Sequence, residues 1–254
     1  MIKSLIMAFS TYSRVPMPKV KWDKKYMKYI MCFFPFIGVF IGGVEFAVIY
    51  FIKMYFGNIS ILALSAIMTV LPILITGGIH MDGYMDTVDA KSSYKPKEEK
   101  LKILKDPHAG AFAIIYGIVY FLLYFAFAYE LIKGDIIVKQ YAIYAVGFVF
   151  SRILSGLSVM TFPKAKKDGM LASAKEMSDN KSKPVLFVEL FVCVIAFLCI
   201  DIVMGAAVVA VGFIVLAYYY VMSQKTFGGV TGDLAGYFLQ LCELGVIIVT
   251  SLIM

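Results

Sequence analysis

Asp82, Asp86 and Asp89 stand at i, i+4 and i+7 in the run Gly77-Gly78-Ile79-His80-Met81-Asp82-Gly83-Tyr84-Met85-Asp86-Thr87-Val88-Asp89. On a helix that spacing sets three carboxylates on one face. No Lys or Arg lies among them, so they repel one another unless a cation intervenes. Hard divalent ions take oxygen ligands, and Mg²⁺ is commonly held by one or two carboxylates together with substrate phosphates. The chemistry expected of the row is metal-assisted work on a phosphate ester. A solvated loop with acidic caps is the plain alternative. The metal reading is favoured because charge is scarce in this chain and is costly close to lipid.

Other polar residues stand out in the same way. In Lys105-Asp106-Pro107-His108, Pro107 suits the first turn of a helix, which makes Asp106 a candidate N-cap or a further ligand. His80 and His108 are the only histidines and flank one segment. Each is a candidate general acid or base, or an interfacial hydrogen-bonding residue. The turn Ser223–Asp233 carries three glycines before an apolar stretch. It reads as a phosphate cradle or as a flexible turn with Asp233 as helix cap. Arg152 and Glu243 interrupt apolar stretches, where ionisable groups pair or line a polar cavity. Arg152 is suited to hold a diphosphate bidentately, or to pair with Glu189 or Glu243. Arg14 is a phosphate contact or a plain topology charge, and Glu45 reads as structural.

The elements that must position these residues follow from composition. Of 254 residues, 61% are apolar and 16% charged, and the mean hydropathy is +0.84. Soluble domains carry about 25% charged residues. The composition excludes an ordinary soluble domain, a disordered chain and a disulfide scaffold. A bilayer-crossing helix needs roughly 20 apolar residues. Residues 54–81, 107–129 and 202–224 contain no Asp, Glu, Lys or Arg, and 30–52, 136–161, 184–200 and 233–254 qualify with few charges. The expectation is an all-α polytopic membrane protein of about seven transmembrane helices, forming a single membrane domain over 1–254.

Basic residues set the expected orientation. Residues 1–29, the 80–110 and 162–183 segments, expected as loops, and the 223–231 turn hold 20 of the 24 Lys and Arg. These regions alternate along the chain, so the positive-inside bias makes them cytoplasmic, with the amino terminus inside and the carboxyl terminus outside. The net charge of +7 then reflects orientation in a lipid bilayer rather than nucleic-acid binding. Met1–Tyr12 is expected as an amphipathic interfacial helix rather than a secretory signal. The four cysteines lie in apolar segments without Cys-x-x-Cys, as small core residues do.

These pieces resemble the cobalamin synthase family, the adenosylcobinamide-GDP ribazoletransferases. The resemblance is carried by Ser13-Arg14-Val15-Pro16-Met17-Pro18, Gly77-Gly78-Ile79-His80-Met81-Asp82-Gly83 with Asp86 and Asp89, and Lys105-Asp106. Gly110-Ala111-Phe112, Ser151-Arg152 and Gly229-Val230-Thr231-Gly232-Asp233 with Gly236 complete it, in the family's order. Ser13, Ala90 and Gln240 depart from the usual Thr, Gly and Glu. The resemblance implies a plasma-membrane enzyme that joins adenosylcobinamide-GDP to α-ribazole, or its 5′-phosphate, and releases GMP with Mg²⁺. It implies Asp82, Asp86 and Asp89 as metal ligands and a catalytic group of His80, Asp82, Asp106 and His108. It further implies Arg14, Lys105, Arg152, Thr231, Asp233 and Glu243 as substrate contacts. The general base stays open between His80 and an aspartate, and self-association into a homo-oligomer stays open too.

Three other readings compete. A CDP-alcohol phosphotransferase needs an Ala-Arg pair where Tyr84-Met85-Asp86 stands. A prenyltransferase needs two aspartate-rich motifs. A secondary transporter needs paired repeats and charges near the midplane. The scattered intramembrane charges support the last, and the one-sided motifs oppose it.

Overall fold

The computed structural model describes residues 1–56, 59–133, 138–165 and 182–253. Those residues form an all-α chain whose only extended pairing is the isolated bridge between Lys164 and Val230. The helices are α1 (Ile2–Tyr12), α2 (Lys24–Met27), α3 (Ile30–Tyr55), α4 (Ile61–Thr76), α5 (Ile79–Ser92) and α6 (Lys97–Ile103). They continue with α7 (Ala111–Lys133), α8 (Val138–Thr161), α9 (Ser182–Ile200), α10 (Ile202–Met222) and α11 (Gly232–Leu252), with a π-helical turn at Ser223–Phe227. Among the described residues, α3 and α7 to α11 are each long and apolar enough to cross a bilayer, and α4 with α5 forms a seventh candidate bent by 96°.

The bend corrects two expectations. The stretch 54–81, expected as the second span, is divided: α3 continues to Tyr55, α4 runs from Ile61 to Thr76 and α5 starts at Ile79. The 80–110 segment, expected as a loop, is helical over α5 and α6. Gly77 ends α4 at φ 67° and Gly78 follows at φ 78°. Two successive left-handed residues are cheap only for glycine. They close α4 with N–H bonds from Gly77 to Leu74 O and from Gly78 to Ile73 O, and turn α5 away. The expected 162–183 loop lies largely outside the described residues.

The interior belongs to α8 and α11, which are mostly enclosed, whereas α9 presents Phe187, Val188 and Phe191 outward. α3 reaches α8 closely: a Cβ on Gly38 or Gly42 would enter the α8 backbone at Phe148 or Ala145. Between apolar helices in an apolar solvent, such close backbone packing is what drives association. α1 buries Ser4, Met7, Ala8 and Phe9 and packs on α3, so the expected helix over the first residues forms with one side against the bundle.

Hydrogen bonds tie connecting segments together at both ends of the bundle. At one end the Arg14 N–H donates to Ile75 O (2.7 Å), the Ser182 hydroxyl to Lys28 O (2.9 Å) and the Val230 N–H to Pro163 O (2.9 Å). At the other, the Lys53 ammonium donates to Ile132 O (3.5 Å) and the Gln140 amide to Ile253 O (3.2 Å).

Candidate active site

On α5 the three aspartates share a face, as their spacing requires. Asp82 is exposed, and Asp86 and Asp89 are half-buried. His80, Tyr84 and Thr87 are buried, so α5 keeps its carboxylates on one side while other faces pack into the bundle. α11 lies directly against it. A Cβ added to Gly83 would sit 2.7 Å from Asp233 O, and one on Gly236 would sit 2.9 Å from His80 O. This contact carries Asp233, in the first turn of α11, to the row. Gly83→Ala is expected to cost about 1–3 kcal/mol of stability through overpacking, read as a lowered unfolding temperature of the detergent-solubilised protein.

The electrostatics record the crowding. Asp86 is pushed up to about 7, first by desolvation and then by the charges of Asp82, Asp233, Asp89 and Asp106. Among the described residues no three His, Cys, Asp or Glu side chains close into a ready-made metal cage. The donor set still fits Mg²⁺, which takes one or two carboxylates and completes its shell with water and phosphate oxygen. The Asp89 carboxylate is pressed against the backbone at Gly110, where a Cβ would displace it.

Beside the row lies a cleft of about 620 Å³ whose lining includes Ser10, Thr11, Ser13, Arg14, Thr76 and Asp82. The Arg14 side chain lies across Gly77, and a Cβ there would run into its Nε and Cγ. Gly77 thus serves both the bend and the seat of Arg14. The hydroxyl-bearing residues Ser10, Thr11 and Thr76 carry no sequence signal of a site. They become neighbours only because α1 packs where α4 breaks.

Other expected site residues lie elsewhere or serve local structure. His80 is buried, with its ring stacked on Tyr12 (centroids 6.2 Å apart) and edge-on to Phe34 (5.7 Å). Its Nε2 is enclosed without a hydrogen-bond partner among the described residues. Arg152 and Glu243 are 1% and 4% exposed and pair with each other: Nη1 donates to Glu243 Oε1 at 2.7 Å and to Phe148 O at 2.8 Å. Phe34 and Phe148 rings flank the guanidinium at 5.9 and 5.8 Å. Of the two partners considered for Arg152, the structure selects Glu243. Glu45 is fully buried.

Two capping expectations fail. α7 begins at Ala111, leaving Pro107 outside it. Asp106 is therefore not its N-cap. Its Oδ1 instead accepts from the His108 N–H (3.0 Å) and meets His108 Nδ1 (2.8 Å), a local turn that competes with helix initiation. Those contacts hold the Asp106 carboxyl below the usual carboxylate range, with the backbone bond the larger cause. At α11 the N-cap is Thr231, whose hydroxyl accepts from the Leu234 N–H (3.3 Å), rather than Asp233. Lys105 and His108 are exposed.

Comparison with known proteins is consistent along the whole chain. Residues 4–251 match the family model described as cobalamin-5-phosphate synthase. An adenosylcobinamide-GDP ribazoletransferase of Lachnoclostridium phytofermentans is 43% identical over 248 residues, covering 96% of this chain and 91% of the relative. Relatives of the same name from Clostridium botulinum (32% identical, covering 96% and 95%) and Treponema denticola (30%, covering 97% and 96%) are similar over nearly their full lengths. No solved structure matches the chain. With the motif residues gathered at one end of the bundle and the match spanning all but the last few residues at either terminus, the chain belongs to the cobalamin-5-phosphate synthase family.

Proposed function

We propose that this protein is an Mg²⁺-dependent adenosylcobinamide-GDP ribazoletransferase of the last stage of cobalamin synthesis. It is embedded in the plasma membrane with the carboxylate row facing the cytoplasm. A ribose hydroxyl that is free in both α-ribazole and its 5′-phosphate attacks the phosphorus attached to the cobinamide side chain. The bond from that phosphorus to the bridging oxygen breaks, GMP leaves, and the hydroxyl proton passes to a carboxylate of the row.

The observation that carries this reading is the carboxylate row of α5, joined by Asp233 and bordered by the Arg14 cleft. Phosphoryl transfer depends mostly on positioning and charge neutralisation. Asp82, Asp86 and Asp89 would hold the metal, with Asp106 and Asp233 adding negative charge nearby. Bound there, Mg²⁺ supplies neutralisation of the diphosphate and of the departing phosphate. Arg14 presents a guanidinium suited to phosphate oxygens. His80 is enclosed between Tyr12 and Phe34, which favours an aspartate over His80 as proton acceptor. The concentration of Lys and Arg at the same end supports the cytoplasmic assignment.

Purified protein in lipid nanodiscs, given adenosylcobinamide-GDP and α-ribazole, is expected to release GMP and form adenosylcobalamin. Turnover should stop with EDTA and return with Mg²⁺. Uptake of substrate into vesicles without GMP release would overturn the transferase reading in favour of a transporter.

A further inference from the structure

The cleft between α1, α4 and α5 has a lining whose chemistry distinguishes the two substrates. Its volume, about 620 Å³, falls within the roughly 300–1,000 Å³ of pockets that enclose small ligands. It suits a single nucleotide better than a corrin macrocycle. One wall carries Asp82, the first carboxylate of the row, and Arg14 lies in the same lining. A phosphate group seated on Arg14 is therefore beside the row.

The hydroxyls supply the second feature. The Thr11 hydroxyl donates its proton to Met7 O (2.7 Å), and the Ser13 hydroxyl donates to Phe9 O (2.7 Å). With their single protons so engaged, both hydroxyls of this lining can only accept from a ligand. Ser13 already takes the Val15 N–H at 3.4 Å, which leaves it one lone pair and Thr11 two. An accepting wall fits a ligand edge rich in N–H groups. Guanine carries a ring N–H and an exocyclic amino group. The benzimidazole of α-ribazole has no N–H to give.

Building on the transferase reading, we infer that this cleft is the nucleotide subsite. It holds the GMP half of the donor, with phosphate against Arg14 and the guanine edge against Thr11 and Ser13. The leaving group is thereby held on the Asp82 side of the row. The α-ribazole hydroxyl must then approach from the other side, because displacement at phosphorus is in line.

The experiment combines turnover with direct binding of labelled GMP to the protein in nanodiscs. GMP is expected to compete with adenosylcobinamide-GDP but not with α-ribazole. IMP, which lacks the exocyclic amino group, should bind about five- to tenfold more weakly, the scale of one lost hydrogen bond. Thr11→Val should bring the GMP-to-IMP ratio close to one and leave the α-ribazole KM unchanged. Arg14→Gln should weaken GMP and IMP equally, by tenfold or more. If Thr11→Val instead raises the α-ribazole KM while GMP binding is unchanged, the cleft belongs to the acceptor and the inference falls. Normal turnover in which GMP and IMP bind alike and neither variant shifts GMP binding overturns the subsite alone. A wild-type protein that binds neither nucleotide and releases no GMP overturns the transferase reading with it.

Discussion

Asp82→Asn is expected to lower kcat by roughly a thousandfold, about 4 kcal/mol of transition-state stabilisation, while the protein unfolds at its normal temperature. The two halves of this expectation have different origins. Loss of rate follows from removing the carboxylate at the point where the row meets the Arg14 cleft. An asparagine keeps the shape and one oxygen but not the negative charge that holds a hard cation. Retained stability follows from exposure: Asp82 lies open on the surface of α5. Surface substitutions away from caps and networks usually change stability by less than about 0.5 kcal/mol. Single-turnover rates and thermal unfolding on the same preparation check both. Full activity in Asp82→Asn would sink the metal-site assignment, and loss of the fold would assign Asp82 a structural role.

Much of this site was legible because charge is scarce. The i, i+4, i+7 spacing of Asp82, Asp86 and Asp89 needs only a helix beneath it, and the alternation of basic segments needs only a bilayer to sort them. Asp233 joins the row for a reason visible as Gly83 and Gly236, two positions where α5 and α11 backbones touch. What the sequence hid was set by tertiary contact. Two adjacent glycines at Gly77-Gly78 permit a helix to end, but a bend of 96° is not written in them, since no local rule dictates where a broken helix points. The polar segment after it looked like a loop, although α5 is a helix whose other faces are held by the bundle. The cap alternative for Asp106 fails because its carboxylate bonds locally to His108, and a side chain that closes its own turn competes with capping. Thr11 carries no motif at all. Its place at the cleft depends on α1 folding back over the end of α4.

Arg152 and Glu243 give the largest expected effect on stability. Glu243→Gln, or Arg152→Met, is expected to destabilise the protein by about 3–5 kcal/mol, because each leaves the other charge buried without its counter-charge. The geometry makes the cost steep. The pair is 1% and 4% exposed, joins α8 to α11 at 2.7 Å, and sits between the rings of Phe34 and Phe148. Water cannot enter to solvate a survivor. The double variant Arg152→Met with Glu243→Leu removes both charges and fills the space with apolar atoms. Such replacements are often neutral or stabilising, so it should recover most of the loss. Unfolding measurements on the two singles and the double form a cycle whose coupling energy is large only if the pair acts as a unit. Donor KM supplies the contrast. If Glu243→Gln unfolds normally but raises that KM, Glu243 contacts substrate during turnover and the pair must open. If stability falls and the double variant restores both stability and turnover, Arg152 and Glu243 are the bolt between the two inner helices. Phosphate recognition then rests on the cleft and the carboxylate row.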